Sequence, residues 1–528
     1  MQSLYLRFSI LYLLTCFECL FSLNVQCQTL QAIESKRILL PNQWGITPIG
    51  KSMPLGDLPL NIAVSRSEKL LAVTNNGQSD QSIMLFDVAR QALLDSFPMA
   101  KSWLGLVFSR DGNSLFASGG NDNMIIRFDV SHLKLIPIDT IHLGSPWPTL
   151  ISPAGIAYDD KKQKLYVVTK EDNALYVADL DATKKLTRYD LGAEGYTCLL
   201  SPDRKILYIS CWGCDKIELF DTDIKMMAGS IPVGDNPNDM CQTKNGRFLF
   251  VANANDNSVS VIDVVTHHVI ETLNAALFPD SPTGSTTNSL ALSGDDKTLY
   301  IANADNNCLS VFNVSQPGKS ISEGFIPTGW YPTCVRMIGD HLYVANGKGF
   351  SSMANPNGPS PRDKKQEVLY RQSGHKSDDV QYIGGLFRGT LSIIPIPDKT
   401  QLNIYSQVVY HNTPNSKKDS LELSAEAGNP IPQFVGGNCP IKHVFYIVKE
   451  NRSYDQVLGD LPMGNGDPSL VLFGENITPN QHALVKEFVL MDNFYVDGEV
   501  SADGHNWSMG AYATDYLEKN WPTSYGDR

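Results

Sequence analysis

Residues 248–264 read FLFVANANDNSVSVIDV, and residues 298–314 read TLYIANADNNCLSVFNV, the same pattern 50 positions later. Each begins with an apolar run rich in strand-forming residues and passes through a cluster of Asn and Asp. It then returns as a run in which apolar and small polar residues alternate, ending on Asp263 or Asn313. Working outward, the same unit recurs as KLLAVTNNG with SIMLFDV, SLFASGGND with IIRFDV, KLYVVTKED with LYVADL, ILYISCWG with IELFDT, and HLYVANG with TLSIIPI. The closing residues Asp87, Asp129, Asp179, Asp221, Asp263 and Asn313 are separated by 42, 50, 42, 42 and 50 residues. That is the length of a four-stranded blade, a unit that cannot bury both of its faces alone and must stack on its neighbours. The expected fold is mainly β, a seven-bladed β-propeller over residues 36–400. The amides of NANDN and NADNN fall where tight turns need left-handed backbone, so they read as turn chemistry. The stretch from Lys36 to Pro48 is assigned to closure of the ring.

These repeats resemble those of YVTN-type β-propellers of exported and surface proteins. The resemblance covers roughly residues 55–400 and implies a fold, not an activity.

Composition agrees with a globular chain: 42% apolar residues and 19% charged residues, with a formal net charge of −13. So acidic a balance argues against nucleic-acid binding. The first residues carry Arg7, then an apolar run from Phe8 to Phe17 ended by Glu18. Such a run is too short to span a bilayer and suits a signal peptide over residues 1–27, which predicts an exported, periplasmic or extracellular protein with no transmembrane segment in the mature chain. Cys211 and Cys214 form a CWGC, but no second pair completes a zinc set, so a strand-connecting turn is expected there, with or without a local disulfide. Lys348, Arg362, Lys364 and Lys365 make the long interruption of the seventh repeat locally basic. Either a phosphorylated ligand or simple solvation of a loop accounts for that charge.

After residue 400 the repeat stops. Residues 401–438 read as a linker with room for one helix, and residues 439–528 differ in kind. HVFYIV (443–448) is a continuous apolar run, as in a parallel strand covered on both faces. Thr478 and Pro479 form a helix start, and FVLMDNFYV (488–496) offers a second strand. Strand, helix and strand in that order open an α/β domain, whose ligands gather beyond the carboxyl ends of the strands. There Glu450 and Asn451 would face Ser501, Asp503 and His505.

KENRSYDQVLG (449–459) resembles the ENRSFDxxFG signature of the phosphoesterase family that contains bacterial phospholipases C and certain acid phosphatases, relatives of the alkaline-phosphatase superfamily. Tyr454 and Leu458 replace its two phenylalanines. The resemblance implies that Glu450 and Asn451 hold a divalent metal ion, oxygen ligands being suited to such a cation near phosphate. It implies a hydroxyl nucleophile, Ser501, with Ser508 as the alternative, and His505 assisting the leaving group or binding phosphate. The substrate implied is a phosphate ester. A propeller followed by this signature and by DNFYVDGEVSADGHNWSMGAYATDYLEKNWP resembles exported bacterial proteins described as a propeller fused to such a phosphoesterase. Domains of that family are much longer than residues 439–528, so the expected α/β phosphoesterase domain is incomplete and the chain reads as truncated. The alternative is a non-catalytic propeller that binds or scaffolds, with a remnant phosphoesterase segment.

Overall fold

The computed structural model describes residues 29–351, 383–414, 428–432, 436–496 and 498–525. The expected signal peptide and the basic residues Arg362, Lys364 and Lys365 lie outside the described residues.

Seven four-stranded antiparallel sheets form the body of the molecule. Blade 1 consists of Pro59–Val64, Leu70–Asn75, Ser82–Asp87 and Ala92–Pro98. Blades 2 to 6 repeat that order, the first strand of each lying against the first strands of its neighbours around a central channel. The middle strands are almost wholly buried because sheets stack face to face. Phe250, Ala252, Val259 and Val261 of blade 5, for example, share a core with Leu290, Leu299 and Ile301 of blade 6.

The seven-bladed propeller expected from the repeats is therefore present, and the repeating acids have a definite task. Each ends the third strand of its blade, and in all but Asp179, which pairs with Lys164, the side-chain oxygen accepts from a backbone amide in the following turn. Examples are Ser131 N to Asp129 (2.9 Å), Val265 N to Asp263 (2.9 Å) and Ser315 N to Asn313 (3.1 Å). Only an acceptor oxygen is needed, which is why Asn313 substitutes without loss. Asn257 and Asn307 take left-handed φ values of 53°, as the turn reading required.

Closure differs from expectation. The outer strand of blade 7 is Lys51–Pro54, which pairs with Thr390–Pro395, with Met53 opposite Leu391. Lys36–Pro48 instead contains a short hairpin, Ile38–Leu39 with Gly45–Ile46. The strand that closes the ring runs directly into blade 1, so an N-terminal strand and three C-terminal strands share one sheet.

The expected linker also begins as structure. Helix α1 (Leu30–Glu34) packs beside helix α2 (Lys399–Asn412), which buries Leu402, Tyr405, Val408 and Val409 against the outer strand of blade 6, Ile321–Pro327. Asp398 caps α2 by accepting from Gln401 N at 2.8 Å. Ser406 Oγ accepts from Phe325 N at 2.9 Å, so the helix covers an otherwise open sheet edge.

Beyond residue 439 four helices are described: α3 (Tyr454–Leu458), α4 (Pro479–Glu487), α5 (Ser501–Gly510) and α6 (Asp515–Ser524). The two expected strands do not form among the described residues. Phe445 is 88% exposed and Val496 85%. A parallel strand needs neighbours at its edges and cover on both faces, and the two runs alone provide neither. Helix α4 starts at Pro479 as expected, although the Thr478 hydroxyl donates back to Phe473 O (2.7 Å) and does not cap the helix. No described helix is long and apolar enough to cross a membrane.

Candidate functional site

Helix α6 seals one mouth of the propeller channel. That face carries the starts of the inner strands and the turns between second and third strands, and residues from several blades reach up to the helix. Lys519 Nζ donates to Tyr196 OH (2.8 Å) and to Asp515 Oδ2 (2.9 Å), and lies 4.6 Å from the centre of the Tyr196 ring. Asn238 contacts Asp515 (3.4 Å), Lys170 donates to Asn520 (2.7 Å), and Trp212 of the CWGC turn packs on Tyr516 with ring centres 5.0 Å apart. Lys519 and Asp515 are fully buried. Burial pushes the Lys519 ammonium below its usual range, and the Asp515 carboxylate opposes that shift. Deeper in the channel Arg336 pairs with Asp239 at 2.9 Å. Two ion pairs thus stand in series along the axis, and beyond them the opposite mouth widens into a cavity of about 760 Å³. Cys211 and Cys214 are free thiols, with Cys214 N donating to Cys211 O at 3.1 Å in the expected strand-connecting turn.

Beside the plug, blade 7 contributes Lys348 to a cluster of carboxylates. Lys348 Nζ lies 2.8 Å from Glu499 and 3.3 Å from Glu518. The oxygens of Glu499, Asp503 and Glu518 all fall within 4.8 Å of one another. Asp503 Oδ2 accepts from Glu499 N at 3.1 Å, tying the first turn of α5 to the chain that enters it. Gly498 allows this approach: a Cβ there would lie 2.7 Å from the Asp503 carboxyl. Burial raises Glu518 to about 7, with Lys348 opposing and Glu499 reinforcing the shift. Burial and the charge of Glu518 raise Asp503 to about 9. For Glu499 burial acts upward, but the Lys348 ammonium outweighs it and holds the group at about 2. Lys348 therefore lies beside one acid held low by its charge, Glu499, and two raised by burial, Glu518 and Asp503. Lys348 supplies positive charge to this cluster.

The outward side of α5 carries Ser501 and His505, whereas Asp503, expected beside them, turns into the buried cluster with Glu499 and Glu518. His505 Nε2 lies 3.1 Å from Glu450 Oε1, joining two stretches 55 residues apart. Ser501 opens α5 one turn before His505, so the two share a face. Asn451 is not drawn into that contact; its carbonyl oxygen accepts from Arg452 (2.8 Å). Ser508 Oγ donates to Gly504 O at 2.8 Å and is engaged with its own helix. Ser453 begins α3 in a capping box with Gln456, whose side chain accepts from Ser453 N at 3.2 Å, so Glu450 and Asn451 sit in the turn before that cap. The Glu450 carboxylate and the His505 imidazole are donor types that suit a divalent cation, and Asn451, the next residue in the chain, would add an amide oxygen. Lys348, Glu499, Glu518 and Lys519 were not singled out together by sequence reasoning. Glu499 lies just before the cap of α5 and Asp503 in its first turn, a spacing that no pattern in the sequence marks as a cluster.

Fold and site together define a seven-bladed β-propeller with a helical C-terminal segment seated on one face. A family model described as "Lactonase, 7-bladed beta-propeller" matches residues 156–275 and 197–350. Two similar curated proteins are 6-phosphogluconolactonases of Yersinia pestis (strain Pestoides F) and Yersinia pseudotuberculosis (serotype O:1b, strain IP 31758). Each is 28% identical over 116 residues, which is 21% of this chain and 35% of the relative. The chain thus matches about a third of the length of these relatives. Among solved structures, the RRP9 WD40 repeats are 12% identical with a TM-score of 0.49, covering 66% of this chain and 99% of that one. Kuenenia stuttgartiensis hydrazine synthase is 18% identical with a TM-score of 0.45, covering 55% and 92%.

Proposed function

We propose that this protein is an exported, metal-dependent phosphoesterase whose propeller carries the catalytic segment. The observation that supports this reading most is the 3.1 Å contact of Glu450 with His505, one helical turn from Ser501. Glu450 and Asn451 would hold the divalent ion, which when bound lowers the pKa of a nearby hydroxyl and neutralises phosphoryl charge. Ser501 would give its proton to water as Oγ bonds to phosphorus, the bond from phosphorus to the ester oxygen would break, and His505 would donate a proton to the departing oxygen and regain one from water. Water then cleaves the phosphoserine and releases phosphate. Glu450 orients the imidazole through the 3.1 Å contact with Nε2. Hydrolysis of p-nitrophenyl phosphate with added Mg²⁺, Mn²⁺ or Zn²⁺ tests the proposal. Ser501→Ala should lower turnover by about a thousandfold or more, and Glu450→Ala should weaken the metal dependence.

A second reading makes the propeller itself the hydrolase, acting on a cyclic ester. It is supported by the lactonase match across residues 156–350 and by the similarity to 6-phosphogluconolactonases. Both readings describe hydrolysis of ester bonds. Hydrolysis of a δ-lactone that survives Ser501→Ala, with no release of p-nitrophenol, would favour the second.

A further inference from the structure

The repeat that steps 50 residues from Asp263 to Asn313 carries eight more than the step before it. In the structure the added length includes the loop 277–285, which rises between blades 5 and 6 and forms one wall of a pocket of about 530 Å³. Trp44 of the N-terminal hairpin, Asn306 of blade 6, Thr413 after α2, and Trp507, Ala511 and Tyr512 of the α5 region complete the lining. The loop is preformed: Asn257 Nδ2 donates to Pro282 O (2.7 Å), and Asn257 Oδ1 accepts from Gly284 N (2.9 Å) and Ser285 N (2.6 Å).

From this arrangement we infer that the pocket is a binding site for a neutral pyranose sugar. Its size is that of a small-molecule site. Trp44, Phe278, Trp507 and Tyr512 supply flat apolar surface, with the Trp507 and Tyr512 rings edge to face at 6.5 Å. Asp280, Ser281 and Thr283 add polar groups. The lining contains no Lys, Arg or His, so a phosphate would meet no compensating charge. Asn306 Oδ1 has no hydrogen-bond partner within the protein, so it is an acceptor that a ligand hydroxyl or a water can satisfy. A quaternary ammonium would suit the rings but has no donor to offer Asn306. A pyranose offers both C–H faces for the rings and hydroxyls for the acceptors. The site is separate from the Ser501 face, because Trp507 lies two residues beyond His505 and points to another side of the helix.

The test uses the whole protein, titrated calorimetrically with methyl α-D-glucopyranoside, methyl β-D-galactopyranoside and N-acetylglucosamine, with adenosine, choline and inorganic phosphate as comparisons. At least one pyranoside should bind and alter tryptophan emission. Trp507→Ala and Asn306→Ala should each weaken that binding by about tenfold or more, while Ser501→Ala leaves it unchanged. Should Trp507→Ala fail to fold, Trp44→Ala reads the same wall from another segment. Absence of pyranoside binding, binding of adenosine or choline alone, or binding indifferent to Trp44 and Asn306 would overturn the inference. Loss of phosphatase activity bears on the proposed function and not on this pocket.

Discussion

Lys348, near the end of the second strand of the ring-closing blade, lies 2.8 Å from Glu499, two residues before Ser501. One ammonium of the propeller therefore fixes the entrance to the helix that carries the proposed nucleophile. Both partners are largely buried, with side chains 13% and 16% exposed. Lys348→Met would strand the Glu499 carboxylate without a counter-charge, a loss of about 3–5 kcal/mol in the docking of α5 and α6. Hydrogen exchange should show those helices losing protection while blades 1 to 5 keep theirs. Unchanged protection would show that the contact does not hold the segment.

The same cluster predicts a pH dependence. Glu518 at about 7, Asp503 at about 9 and Asp305 at about 6 are all raised, principally by burial. The folded state holds these protons where an unfolded chain has released them, so stability of the docked helices falls as pH climbs from the ordinary carboxylate range through those values. Glu499, held at about 2, acts oppositely: its contribution exists above its unfolded value and is lost toward that acid limit. Docking should be firmest in mild acid. Emission from Trp521 and Trp212, both at the plug, should report progressive loosening between neutrality and pH 9, and a flat profile would contradict the assignment.

Lys519 and Asp515 pair at 2.9 Å with neither side chain exposed. Lys519→Met alone leaves a buried carboxylate unpaired and should destabilise the plug by about 3–5 kcal/mol, whereas Lys519→Met with Asp515→Leu should recover much of that loss. Thermal unfolding of the two single variants and the double variant gives the coupling. Additive losses would mean that the ion pair is not a unit.

Much of the ring was legible because its strands obey an alternating period and its turns demand Asp or Asn. The acids from Asp87 to Asp263 mark third-strand ends as their spacing foretold. The closing strand Lys51–Pro54 was not legible, since four residues of edge strand carry little pattern and their pairing with Thr390–Pro395 is non-local. HVFYIV misled for a related reason: apolarity marks a strand only if partners exist to cover it. At the site, Glu450 and His505 were foreseen as neighbours. The Lys348 cluster was not, because charges buried by packing between distant segments look in sequence like ordinary solvated residues.

Gly324 tests how closely α2 approaches the ring. Its φ is +136°, and a Cβ there would lie 2.3 Å from Ser406 Oγ. Gly324→Ala should destabilise blade 6 by about 1–3 kcal/mol through backbone strain and displacement of α2. An unchanged melting temperature would show that the helix edge yields freely.

The most direct measurement of the central claim is capture of the covalent intermediate. The protein is mixed with p-nitrophenyl phosphate and divalent metal, quenched in acid, digested and examined by mass spectrometry. Phosphate should appear on the peptide containing Ser501 and be missing from the Ser501→Ala variant together with turnover. Turnover that persists in that variant, or phosphate found on another residue, would contradict the account.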